Sequence, residues 1–236
     1  MRHDGRRPDQ LRTVEIVRGF TRNAAGSVLI RSGNTHVLCT ASLVDAVPAW
    51  REPSGLGWLT AEYDMLPAAT SQRRARSRGG ADGRTREIER LIGRSLRAAV
   101  DLGRLGPRTI HLDCDVLQAD GGTRTAGITG AWVALCDALA AGRQRGWWDA
   151  EALVCGVAAV SVGVVAGDTL LDLDYHEDVS AEVDCNLVMT DRDEWIEIQA
   201  TGEQATFDDA RVRAFMDVAR GGLRQLFELQ KRALSI

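Results

Sequence analysis

The chain has 236 residues, 44% hydrophobic and 26% charged, a composition too apolar for intrinsic disorder and long enough for one large α/β domain or two small ones tightly joined. A formal net charge of -4 argues against a uniformly basic nucleic-acid binder. The longest nearly unbroken apolar stretch, Val157 to Ala166, falls far short of the roughly 20 residues a membrane helix needs, and the opening residues lead into no apolar signal segment. A cytoplasmic protein with no membrane partner is expected. Cys39, Cys114, Cys136, Cys155 and Cys185 are scattered without a Cys-x-x-Cys pair, so they read as reduced core residues and not as zinc ligands.

In chain order, Ser27 to Thr40 carries β-branched and aliphatic runs on both sides of Gly33-Asn34, residue types that tolerate the positive φ of a tight turn, and predicts a hairpin. Pro67 to Gly83, rich in Ala, Ser, Arg and Gly without an apolar period, is expected to be a mobile loop. Beyond it Ile88, Leu91, Ile92, Leu96 and Val100 recur at helical spacing, with Arg86, Arg90, Arg94 and Arg97 on another face. The stretch that begins at Asp113 ends a strand, turns through Gly121-Gly122 and leads to a helix over Thr129 to Ala141, with Trp132, Leu135, Cys136 and Leu139 inward. Ser161 to Asp174 repeats the hairpin pattern with Gly167-Asp168 at the turn, and Phe207 to Leu234 reads as a closing helix opened by Thr206 and Asp209. Strands, helix, strand, helix occur twice, which hints at two related halves.

Of 29 basic residues all but Lys231 are arginine, so the basic chemistry is that of planar forks suited to phosphate and carboxylate. Codon bias explains much of that number; placement says more. Arg73 to Arg97 holds nine arginines against Asp82, Glu87 and Glu89, a net of +6, and Asp168 to Glu197 holds eleven acidic residues against Arg192, a net of -10. This polarity suggests an electropositive surface for a polyanion and a separate acidic cluster for metal or proton chemistry. At Gly121-Gly122, backbone N–H groups open a helix beside the Thr123 hydroxyl and the Arg124 fork, an arrangement that suits an anion and equally an ordinary strand-to-helix corner. The spacing of a Walker A loop is missing. Asp172 and Asp174 stand two apart on an expected strand and share a face, while Asp178 and Asp184 flank a turn across which they can converge. Converged carboxylates need a cation or a shared proton, and magnesium is the natural candidate. His176 stands alone and reads as structural.

The motifs Arg2-x-Asp4-Gly5-Arg6-x-x-x-Gln10-Leu11-Arg12, Thr60-Ala61-Glu62-Tyr63, Gly83-Arg84-Thr85-x-Glu87-Ile88, Arg90-Leu91-Ile92-Gly93-Arg94-Ser95-Leu96-Arg97, the unbroken run Asp113 to Thr125, and Leu171-Asp172-Leu173-Asp174-Tyr175 resemble, nearly end to end, the bacterial ribonuclease PH family. The resemblance implies an α+β fold, a two-layer α/β sandwich of duplicated βαβα-type units forming one domain over 1–236, with halves near 1–145 and 146–236. It implies a phosphorolytic 3′→5′ exoribonuclease that trims the 3′ ends of tRNA precursors, with inorganic phosphate as co-substrate and nucleoside diphosphates as products. It also implies a homo-oligomer, a hexamer built as a trimer of dimers.

Carried over motif by motif, the phosphate site falls on Arg84, the Gly122 backbone, Thr123 and Arg124. The catalytic carboxylates are Asp178 and Asp184, either as ligands of Mg2+ or with one of them as general acid, and the RNA-binding arginines are Arg73 and Arg76. Where the family usually has arginine, in the third place of its Leu-Pro-x-Ala-Thr segment, this chain has Ala68, ahead of a shorter loop in which Arg74 and Arg78 add charge. The Arg73 to Arg97 belt and the basic amino terminus suit RNA phosphates, and with 5% aromatic residues no extended stacking platform is expected. A non-catalytic RNA-binding ring subunit of exosome type is the alternative, which retention of all five site side chains disfavours. A small-molecule kinase on a similar fold would need a glycine-serine-rich ATP loop that this sequence lacks.

Overall fold

Alternating apolar residues build the first sheet in the computed structural model, which describes residues 2–76, 82–149 and 151–235. Strands β1 (Val14–Arg18), β2 (Gly26–Ser32), β3 (Thr35–Val44), β4 (Trp58–Met65) and, after helix α1 (Gly83–Arg97), β5 (Thr109–Gln118) stand in the order β1-β2-β3-β5-β4. The predicted hairpin closes Ser32 onto Thr35 across Gly33-Asn34, with Gly33 at φ 54°. β4 and β5 are parallel, joined by α1. Val37, Cys39 and Ala41 of β3 and Ile110, Leu112, Cys114 and Val116 of β5 point inward, as period-two alternation requires. Each fully buried aliphatic such as Leu59, Ile92 or Leu112 contributes about 1.5–3 kcal/mol. Asp82 caps α1 by accepting from the Thr85 N–H at 2.7 Å; Val100 is buried but lies beyond the helix end.

Helix α2 (Thr123–Gln144) starts six residues before the expected Thr129. It packs against β2 and β3 on one side and β6 (Val157–Val165) on the other, and a helix buried on all sides carries no amphipathic signal to mark its start. It is long and apolar enough to cross a membrane by length and composition, yet 78% of that window is buried inside the protein, so it is a core helix. Of its expected inward residues, Cys136 is only partly buried.

The second sheet, order β7-β6-β8-β9, is antiparallel and contains β7 (Asp168–Leu171), β8 (Val183–Thr190) and β9 (Trp195–Gly202), with the short helix α3 (Tyr175–Ser180) between β7 and β8. Helix α4 (Asp209–Leu234) covers it with Phe215, Ala219, Leu223, Leu226 and Phe227. The chain is a mixed α/β fold of two sheets with four α-helices among the described residues.

Three local expectations are corrected. The second hairpin turns at Ala166-Gly167, since Val165 pairs with Asp168; both turn residues have positive φ, and the turn is one residue earlier than Gly167-Asp168. Asp208, not Thr206, caps α4, accepting from the Arg211 N–H. Asp172 and Asp174 do not share a strand face: β7 ends at Leu171, Asp172 adopts φ 54°, and Asp174 caps α3. Residues 67–76 of the expected loop form no helix or strand, and its remainder, including Arg78, lies partly outside the described residues.

Candidate active site

β5 reaches α2 through a turn that rests on the second half of the chain. Gly121 has φ 73°, and a Cβ there would lie 2.6 Å from the Leu173 carbonyl oxygen, so glycine alone allows the turn to settle against the segment entering α3. Gly122, at φ 64°, is the residue before α2. The first N–H groups of a helix have no intrahelical acceptor and carry partial positive charge. Here they open on a cleft of about 1130 Å3 whose lining includes Arg73, Arg84, Thr123, Arg124, Asp178 and Asp184.

The basic side of the cleft is held from both halves. Buried Thr123 shares a 2.7 Å hydrogen bond with the Tyr63 hydroxyl of β4. Burial pushes the Tyr63 phenol pKa up against the opposing influence of Thr123, Arg84 and Arg124. Arg124 Nη1 donates to Gln199 Oε1 of β9 at 3.2 Å and lies 3.9 Å from Glu87 Oε1, while Gln199 Nε2 donates to the same Glu87 oxygen at 2.6 Å. Arg84, one residue into α1, is exposed and has no side-chain hydrogen bond or ion pair among the described residues.

Asp178 of α3 and Asp184 of β8 face these arginines. The pKa of Asp184 is pushed up to about 6, first by burial and then by Asp178, against Arg124 and a 3.1 Å hydrogen bond donated by Asn186 Nδ2. Asp178 stands on an exposed turn of helix, yet its carboxyl end faces the cleft, where loss of water raises its pKa against Arg84 and Arg124. Unrelieved carboxylates of this kind suit proton or cation chemistry.

The neighbouring acids are already neutralised. Arg2 grips Glu177 through Nε at 2.7 Å and Nη2 at 2.5 Å, Arg12 grips Asp172 at 2.7 Å, and Arg6 lies 3.7 Å from Asp172 and Asp174 and 3.5 Å from Glu177. Arg2, Arg6 and Arg12 are buried, which removes these three from the basic amino terminus expected to suit RNA phosphates, whereas Arg7 is exposed. The α1 stripe is also divided: Arg97 stacks 4.8 Å over Trp58 and donates to the Leu59 carbonyl, and Arg94 pairs with Glu197 at 2.8 Å. Arg86 and Arg90 are exposed. Arg73 and Arg74 line the cleft, Arg74 3.7 Å from Asp82, whereas exposed Arg76 is not among the lining residues. Tyr63 and Arg12 lay in motifs that gave them no role, and nothing in the sequence singles out Asn186 or Gln199.

Known proteins resemble this chain over nearly its full length. Residues 10–140 match the model of the 3′ exoribonuclease family, domain 1, and residues 155–222 match domain 2. Ribonuclease PH of Corynebacterium efficiens is 58% identical over 100% of this chain and 97% of its own, and that of Rhodococcus erythropolis is 58% identical over 99% and 91%. Among solved structures, an Archaeoglobus fulgidus exosome with RNA bound to the active site aligns with TM-score 0.81 at 22% identity, covering 96% of this chain and 91% of that one. Rice Rrp46 aligns with TM-score 0.80 at 19% identity, covering 98% of both. The exosome likenesses establish the fold; the full-length relatives and both matched domains establish that this chain belongs to the ribonuclease PH group of the 3′ exoribonuclease family, and is a phosphorolytic 3′ exoribonuclease.

Proposed function

We propose that orthophosphate is held by Arg84, Arg124, the Thr123 hydroxyl and the Gly122 backbone at the start of α2, beside the last phosphodiester of an RNA 3′ end facing Asp178 and Asp184. An orthophosphate oxygen forms a bond to the terminal phosphorus, the bond to the 3′ oxygen of the preceding nucleotide breaks, and that oxygen takes up a proton. The products are a nucleoside 5′-diphosphate and an RNA one residue shorter. Two anions must meet, so cancelling their repulsion and aligning them is the main task, and no side-chain nucleophile is needed. The guanidinium forks of Arg84 and Arg124 are suited to that work.

Asp178 adds to the need of Asp184 for a counter-charge, which fits a divalent cation. They would hold Mg2+, whose charge when bound stabilises the departing 3′ oxygen. A carboxyl that titrates at about 6 is mostly ionised at neutral pH, so the cation-holding role is favoured over that of general acid. Arg73 and Arg76 contact RNA phosphates. The substrate is the 3′ end of tRNA precursors in the cytoplasm, the assembly is a hexamer arranged as a trimer of dimers, and 1–236 acts as one functional domain.

The observation that carries this reading is that Arg84, Thr123, Arg124, Asp178 and Asp184, drawn from both halves, line one cleft. Incubating the protein with an RNA bearing a 3′ extension, with and without orthophosphate, tests it. Shortening that requires orthophosphate and releases diphosphates is expected; trimming without orthophosphate, or release of monophosphates, overturns it.

A further inference from the structure

We infer that Arg12 is a positioning residue that sets the spacing between the phosphate-holding turn and the carboxylate pair. The inference rests on the phosphorolytic site proposed above. Arg12 is buried and does not line the cleft, so it touches neither reactant. One edge of its guanidinium faces the first half: Nη1 donates to the Asp120 carbonyl at 2.5 Å and Nη2 to that of Gly121 at 3.4 Å. The other edge faces the second half, with Nε donating to Asp172 Oδ2 at 3.1 Å and Nη2 to Asp172 Oδ1 at 2.7 Å, and the Arg12 N–H adds a 2.8 Å bond to Oδ2.

Both ends of this clamp lead directly to the chemistry. Asp120 and Gly121 precede Gly122 and the start of α2, and a Cβ on Gly122 would come within 3.0 Å of Arg12 Nη2. On the other side Asp172 is fixed at φ 54°, its N–H donating to the Ser161 carbonyl at 2.7 Å and its carbonyl accepting from Arg2 at 3.0 Å and Arg6 at 2.8 Å. Two residues later Asp174 caps α3, which carries Asp178. A planar fork with five N–H groups can hold a carbonyl pair and a carboxylate at once; an ammonium of the same charge cannot span both. A misplacement of about 1 Å between reacting groups costs on the order of 100-fold in rate, so the clamp acts on turnover without contacting substrate.

Arg12→Lys and, as a variant that retains the arginine, Asp172→Asn test this by steady-state kinetics well below their melting temperatures, with orthophosphate and RNA varied separately. For Arg12→Lys the expected result is kcat lower by tenfold or more and the KM for orthophosphate raised several-fold, with the KM for RNA within twofold; Asp172→Asn shifts both in the same direction by less. Should Arg12→Lys fail to fold, Asp172→Asn alone decides. A folded variant with wild-type kcat and orthophosphate KM overturns the inference, as does an equal rise of both KM values, which indicates general loosening. A wild-type enzyme indifferent to orthophosphate overturns instead the reading of the site on which the clamp rests.

Discussion

Asp172, Asp174 and Glu177 share one short stretch of chain with Asp178 and Asp184, yet the two groups have opposite electrostatics. Burial pushes the Asp172 carboxyl up, but Arg12 and Arg6 outweigh it and leave the pKa below the ordinary carboxylate value. Asp184 is partly buried, is pressed further by Asp178, and ends at about 6. The difference is the guanidinium in contact. Arg12 meets Asp172 in a two-bond fork, whereas Arg124 opposes the Asp184 shift while its Nη1 donates to Gln199. An acid saturated by arginine is part of the framework, and one left short of counter-charge is available for reaction.

The sharpest test of that division is Asp184→Asn, which is expected to lower turnover by about 1000-fold or more while RNA affinity, measured by filter binding, stays within about twofold. The same change should make the protein more stable in metal-free buffer at neutral pH. A carboxyl with a raised folded-state pKa is costly to keep ionised, so its removal relieves on the order of 2 kcal/mol, read as a rise of several degrees in Tm. A drop in Tm would contradict the assignment. Glu177→Gln should act in the opposite sense: it leaves Arg2 buried without its charge partner and costs about 3–5 kcal/mol in urea denaturation, and a neutral result would remove the distinction between the two groups.

Titration separates them as well. With Asp184 working in its ionised form, the rate should rise with pH through a midpoint near 6, and a rate falling through that region would assign it the general-acid role. In stability the signs differ. The Asp184 contribution improves as pH falls from about 6 toward the ordinary carboxylate range, whereas the stabilisation from Asp172 is present above that range and is lost as pH falls below it through the lowered folded-state value. Smaller effects are expected at the periphery. Tyr63→Phe deletes the hydrogen bond that fixes Thr123 and should raise the KM for orthophosphate about twofold to tenfold. Arg73→Ala should weaken RNA binding a few-fold and reduce the slope of log affinity against log salt by about 1.

Much of this was legible in the residues themselves. Gly33-Asn34 between two apolar runs gave the first hairpin its turn, and the 3.6-residue recurrence of Ile88, Leu91, Ile92 and Leu96 placed α1, because those patterns record which face each element buries. The glycines at 121 and 122 identify the corner before α2, and the motifs that carry the family resemblance point to Arg84, Thr123, Arg124, Asp178 and Asp184 as candidates. Less legible were the start of α2, which is apolar all round, and the second turn, where two positive-φ positions at Ala166-Gly167 shift the corner by one residue.

Local pattern therefore determined the first hairpin, the body of α1 and the corner before α2, since backbone propensity and turn chemistry act over a few neighbouring positions, while the candidate site residues came from ordered motifs that resemble a family. Only the tertiary structure decided which charges are free. In the sequence the net +6 segment suggests a surface for a polyanion and the net -10 segment an acidic cluster for metal or proton chemistry, but the acidic one is partly consumed by Arg2, Arg6 and Arg12, far away in the chain. Burial and ion pairing depend on what is brought within a few ångströms through space, and there the same carboxylate becomes either a structural anchor or a reactive group.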